Sequence, residues 1–400
     1  MSRCSITPAA TRPTSTSPSN DGVRKGRTAP RRWERKVFTP ERLVLARKRR
    51  RMTLAALEAK AGVSQQSINA FEKHRRPPSD RTLSSLAQAL GFPTSFFHAD
   101  PPPEILRGAV SFRAPSKMSA AERDSALAAG SIAATLNAWL EDRFALPEPN
   151  VPAYTYPQPT PEQAAEMVRE HWGLGEAPAP NMVHLLEANG VRVFSIPPDC
   201  LEIDAFSTTK NGRPFVFLNT RKTAERGRFD AAHELGHLVL HNGHHAPHGP
   251  DPENEANRFA SAFLMPRSGI LAQQLHNPSV ERVLSAKRRW DVSAMALTYR
   301  LYRMELLSEW RFNQANKQLA SLGFRRGEPG SKVSRETSQL LAKVFEALRD
   351  DRMTAADIAA EMAITVADLN EYVFGLVPTQ VTGGGRTTPA ARPSLQLIRS

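Results

Sequence analysis

Four hundred residues, 40% of them hydrophobic, exceed what one ordinary core organises, so two or three domains are expected. The formal charge of +13 sits at one end: residues 1–51 hold 15 Lys/Arg against 3 Asp/Glu, a net +12 that points to a polyanionic partner. The only cysteines, Cys4 and Cys200, exclude a disulfide framework or a thiolate zinc cluster, and the absence of any long apolar run argues against a membrane span or secretory signal. A reducing, cytoplasmic setting with no membrane partner is the expectation.

Residues 1–37 are rich in Ser, Thr, Pro and Arg, with Pro8, Pro13, Pro18 and Pro30 breaking any helix, and read as a disordered basic arm. Residues 38–100 change to a pattern of short helices. The span 101–157 reads as Pro-rich linkers around one connecting helix, residues 119–143. Residues 158–276 mix helices with strands. PEQAAEMVREHWGLG and NMVHLLEANG read as helices stopped by glycine. VRVFSI reads as a strand, and DAFSTTKNGRPFVFLN as a hairpin turning at Asn211-Gly212. A helix carries FDAAHELGHLVLH, a His/Pro/Gly loop follows, and another helix spans about 252–264. Residues 277–328 form a helical extension expected to close over the preceding domain, 329–378 a small helical module, and 379–400 a disordered tail. The fold class expected is thus multidomain, α and α+β.

Within TLAALEAKAGVSQQSINAF (residues 53–71), Thr53 caps one helix, Gly62 makes a tight turn and Ser64 caps the next. Leu57, Ile68 and Phe71 return to a core. The second helix then exposes Gln65, Gln66, Ser67 and Asn69, residue types that pair with base edges in a major groove. Lys73, Arg75 and Arg76 after it, and Lys48 to Arg51 before it, suit phosphate contacts. A helical bundle that binds protein, with a solvated charged face, is the plainer alternative. Across about 41–98 the segment resembles the XRE (Cro/C1-type) helix-turn-helix regulators. That resemblance implies binding of double-stranded operator DNA as a homodimer.

His233 and His237 lie one helical turn apart on one face, able to present two imidazoles to one ion, with Glu234 beside them as a base for an activated water. A catalytic zinc needs a third protein ligand and one open position. Leu240 and Gly243 stand where a metzincin carries Gly and His, so the third ligand is sought in PENEANRFASAFLMP. Glu253 is favoured, because Asn257 lies one turn on and is placed to hold an imidazole. Glu255, about 200° around the helix, is the rival. His241, another turn along from His237, could also point inward, but with His244, His245 and His248 it reads as a solvated loop. A hairpin before a metal helix is the layout in which an extended substrate adds to a sheet edge beside zinc.

The Glu253/Asn257 pair resembles the Glu-x-x-x-Asp of thermolysin-like gluzincins, with Asn replacing Asp. Residues 158–270, with HELGH and ENEANRFASAFLMP, resemble the ImmA/IrrE metallopeptidases, and the order of the two domains resembles XRE/ImmA-IrrE fusions. The resemblance implies a zincin-like fold, Zn2+, catalytic Glu234, and XRE-type repressors as protein substrates.

Residues 354–374 line up with 53–71: Thr354 falls on Thr53, Ile358 on Leu57, Thr365 on Ser64 and Leu369 on Ile68, with Ala363 in place of Gly62. Asp368, Asn370 and Glu371 give this second unit a face that repels phosphate, so it reads as a packing or dimer-forming module. Of three functions weighed, the first is the reading adopted and the second its alternative. The first is a regulator with a working zinc endopeptidase that cleaves a repressor or itself. The second is a regulator whose zincin-like domain is a non-catalytic sensor or scaffold. The third is a free protease whose helix-turn-helix binds protein.

Overall fold

A computed structural model describes residues 37–105, 110–113, 118–154, 159–200, 203–241 and 250–375. The basic arm up to residue 36, the tail, and the loop histidines His244, His245 and His248 lie outside the described residues.

The N-terminal unit is all helical, with α1 (Pro40–Arg49), α2 (Leu54–Ala61), α3 (Gln65–Glu72), α4 (Asp80–Leu90) and a 3-10 turn at Thr94–His98. Thr53 Oγ1 accepts from the Ala56 amide at 3.1 Å and Ser64 Oγ from the Ser67 amide at 3.3 Å, so each helix starts on a side-chain cap. Gly62 takes φ +67°, the left-handed conformation that the α2–α3 turn requires. Leu43, Leu57, Ile68, Leu86 and Phe96 have no exposed surface and form the core between these helices.

One four-stranded sheet follows, of β1 (Val110–Arg113), β2 (Arg192–Ser195), β3 (Ala205–Lys210) and β4 (Arg213–Leu218), in the order β1-β3-β4-β2. β2 runs parallel to β4, and the other pairs are antiparallel. Asn211 and Gly212 both have positive φ, 50° and 74°, which is how a two-residue hairpin matches the twist of its strands. β1 comes from the stretch read as Pro-rich linker. Four residues between prolines carry too little periodicity to announce a strand; the partner β3, nearly 100 residues away, makes it one.

Both faces of the sheet are covered. Phe194, Phe206, Phe215 and Phe217 line one face, with the Phe206 and Phe217 rings stacked at 4.2 Å. Against them lies α5 (Ala120–Glu141), whose Ser119 cap and Glu122 close a capping box. Gly130 packs there against Ile105, whose Cδ1 would lie 2.7 Å from a Cβ and have to turn aside. The helix read as a connector is therefore buried along most of its length, between α1 and the sheet. Val193, Ala205, Val216 and Leu218 belong to the core of the other face, with α6 (Pro161–His171), α7 (Met182–Ala188), α8 (Ala224–Leu240) and α9 (Pro250–Leu264).

After α10 (Arg267–Leu271), the extension forms α11 (Val280–Ala286), α12 (Ala294–Arg303) and α13 (Glu309–Ser321). Trp290, Leu297 and Leu301, none of them exposed, tie it into the α8–α9 core. The C-terminal module is α14 (Gln339–Asp350), α15 (Ala355–Glu361) and α16 (Val366–Tyr372). Thr354 and Thr365 cap α15 and α16 as Thr53 and Ser64 cap α2 and α3, and Ala363 takes φ +54° where Gly62 takes +67°. Its Leu369 and Tyr372 are buried in the same cluster as the N-terminal helices, α5 and the phenylalanine face of the sheet.

Candidate metal centre and nucleic-acid face

Thr223 caps α8 through the Arg226 amide at 3.3 Å, and from Asp230 to Leu240 every residue of the helix is buried. α8 crosses α9 at Gly236 of the HELGH stretch. A Cβ there would lie 3.2 Å from Ala256 Cα, a tight contact that glycine avoids as the two backbones approach. That approach brings Glu253 of α9 over the two histidines.

His233 and His237, 0% and 4% exposed, face each other with Nε2 atoms 3.0 Å apart. Glu253 Oε2 lies 3.3 Å from His233 Nε2, and Oε1 3.2 Å from His237 Nε2. The three donor atoms fall within 4.8 Å of one another, the one such cluster among the described residues. Burial pushes the Glu253 carboxyl up, but the two imidazoles beside it outweigh that and hold the group well below the usual carboxylate range. Glu255, the rival, turns away to His241.

Each imidazole is oriented from behind. His233 Nδ1 lies 3.1 Å from Asn257 Oδ1, which can only accept, so Nδ1 carries the proton and Nε2 the lone pair. His237 Nδ1 lies 3.0 Å from His241 Nδ1, and His241 Nε2 lies 2.8 Å from Glu255 Oε2. The carboxylate fixes His241 as donor through Nε2, hence acceptor at Nδ1, hence His237 as donor at Nδ1. Both Nε2 lone pairs then point at Glu253. His241 thus does not belong to a solvated loop: it ends α8, its side chain 5% exposed, and burial lowers its basicity despite Glu255. The sequence placed it with its loop neighbours because its partner, Glu255, lies on the next helix.

Two imidazole nitrogens and one carboxylate oxygen, convergent and correctly protonated, suit a borderline divalent cation such as Zn2+ with a position left open. Glu234, also 0% exposed, receives a 2.6 Å hydrogen bond from Ser207 Oγ of β3 on its Oε2. Sequence reasoning missed Ser207, whose only local signal is its place on the hairpin preceding the metal helix.

On the first unit, Gln65, Gln66, Lys73, Arg75 and Arg76 are exposed, and Ser67 and Asn69 half-buried. Gln65 Nε2 donates to Glu58 at 2.6 Å, while Arg76 donates to Ser67 Oγ at 2.8 Å and lies over the Phe71 ring. Within the Lys48–Arg51 run, Arg49 and Arg50 depart from the expected role. Arg49 is fully buried; its guanidinium meets Asp199 at 2.7 Å, Glu371 at 3.2 Å and the Tyr372 hydroxyl at 3.1 Å. Arg50 pairs with Asp368 at 2.8 Å and lies over Phe92, and Lys48 is 3.6 Å from Asp124. These cations are neutralised inside the chain rather than offered to phosphate. The responsible carboxylates lie 76 to 322 residues away, beyond any local pattern.

Residues 43–97 match the family model for the helix-turn-helix, and residues 186–302 match that for the IrrE N-terminal-like domain, a peptidase family. No curated protein matches the chain. Among the described residues, no helix is long and apolar enough to cross a membrane.

Proposed function

The chain joins an XRE-type helix-turn-helix to an IrrE-like domain of the M78 peptidase family, and from that premise we propose a DNA-binding transcription regulator whose second domain is a zinc-dependent endopeptidase. The observation that carries this reading is Glu234. A fully buried carboxylate stands beside the two histidines, oriented by Ser207, where a purely structural ion needs no base. Among the described residues three protein donors meet at the centre, one fewer than a structural zinc usually takes.

Zinc held by His233, His237 and Glu253 supplies, when bound, an acidified water and a polarised carbonyl. Glu234 takes the proton of the attacking water and delivers it to the departing amine nitrogen as the peptide C–N bond breaks. Asn257 and the His241–Glu255 pair keep the imidazoles in the tautomer that binds metal. The substrate is an extended protein segment, from an XRE-type repressor or from this chain.

Gln65, Gln66, Ser67 and Asn69 read base edges, and Lys73, Arg75 and Arg76 hold phosphates, on a two-fold operator bound by a homodimer in the cytoplasm. Gln65 and Arg76 exchange their partners Glu58 and Ser67 for DNA.

Metal analysis of purified protein should find about one zinc per chain in the wild type and in Glu234→Gln, and none in His233→Ala. Glu234→Gln should slow cleavage of the chain or its repressor at least 100-fold. Zinc present but equal reporter output from wild type and Glu234→Gln, with no cleavage product, would replace the enzyme by a sensor or scaffold.

A further inference from the structure

The sheet is completed on one side by a strand that lies outside the IrrE-like match. β1 comes from the segment between the helix-turn-helix, matched to residue 97, and α5, which begins at Ala120. It pairs with β3 alone, and without it β3 would be the edge.

β3 is the strand that touches the catalytic carboxylate, through Ser207 and Glu234. The register sets Ser111 opposite Ser207, with Val110 opposite Thr208, Phe112 opposite Phe206 and Arg113 opposite Ala205. The four pairs therefore bracket Ser207, whose hydroxyl is bonded to Glu234. An exposed edge binds extended chain through its row of N–H and C=O groups, whatever the sequence.

We propose that β1 occupies in cis the edge of β3 at which the metal centre takes substrate, and that a substrate in trans is an extended segment that replaces β1. This rests on the peptidase reading of the same site. The tether explains why so short a strand holds the position: a segment linked in cis competes at an effective concentration in the millimolar range. The approach is also pinned upstream, where Lys210 Nζ donates to the Glu104 carbonyl at 2.8 Å. Four residues paired on one side only are among the least costly parts of a sheet to open.

The test uses full-length protein in a Glu234→Gln background, so that binding is read without turnover, and a fluorescein-labelled peptide of sequence AVSFRA. Ser111→Pro removes a main-chain donor and breaks pairing of β1. Phe112→Gly weakens the strand more gently. Both variants should bind the peptide at least tenfold tighter than the parent by fluorescence anisotropy. Hydrogen exchange at residues 205–208 should quicken in each variant and slow again when peptide is added. Equal affinity in parent and variants, or exchange at 205–208 unchanged by loss of β1, overturns the proposal. Thermal melts identify a variant that has not folded, leaving the other to decide. Because no cleavage is measured, these results stand apart from the zinc and turnover data that decide the peptidase reading.

Discussion

At the α8–α9 crossing, two imidazoles and a carboxylate converge with lone pairs aimed at one point, whereas at the end of α1 a buried guanidinium is already enclosed by Asp199, Glu371 and Tyr372. One cluster is a set of acceptors arranged for a cation. The other is a cation that already has its acceptors. On the reading proposed above, an ion from outside completes the charge balance of the first and lets it do chemistry. The second can only hold segments together, and it holds α1, the β2–β3 loop and α16. Burial of ionisable groups therefore marks both function and architecture, and the protonation and partner set distinguish them.

Breaking the closed cluster should have the largest effect on stability. Arg49→Met leaves Asp199 and Glu371 without their cation, at a cost of about 3 kcal/mol by chemical denaturation, the low end for a broken buried pair because both acids reach solvent. A pH series tests a second junction, at the start of α14. Glu187 accepts from Ser338 and from the Gln339 and Leu340 amides, yet burial outweighs these bonds and raises its carboxyl to about 7. The folded chain keeps a proton there that the unfolded chain releases near 4.5. The stability it contributes is complete below that value and is lost as pH rises through about 7. Wild type should lose roughly 3 kcal/mol across this window relative to Glu187→Gln, followed by denaturant midpoints at each pH. On the open cluster, Asn257→Ala should lower zinc affinity about 10- to 100-fold in a chelator competition, with little change in apo stability. Glu255→Ala, acting through His241, should fall at the lower end of that range. A larger loss from Glu255→Ala than from Asn257→Ala would show that the relay, not the direct contact, orients the site.

The legible parts of the molecule are those whose physics is local. His233, Glu234 and His237 share one turn of one helix, and Thr53, Gly62 and Ser64 write a turn and two caps. The same local rules aligned the C-terminal unit with residues 53–71, and its two caps follow that alignment even with an alanine at positive φ at residue 363. Asn257 was legible too, being one turn from Glu253. Glu253 was preferred to Glu255 through that same relation, and the structure sets Glu253 beside both imidazoles. His241 was misplaced because its partner, Glu255, lies on the next helix. Arg49 and Arg50 were misread because their neutralising acids belong to the β2–β3 loop and α16. β1 was missed because its identity as a strand lies wholly in its neighbour.

The burial of α5 has a consequence for reach. Its 22 residues make a beam of about 33 Å whose sides are shared by α1 and the phenylalanine face of the sheet. A catalytic domain on a loose tether would search a sphere around its operator. One built onto such a beam rides at a constant offset from the recognition helix, so on the reading proposed above it meets only those proteins bound at one angular phase of the double helix. The spacing of neighbouring sites on DNA would then act as part of the enzyme's specificity.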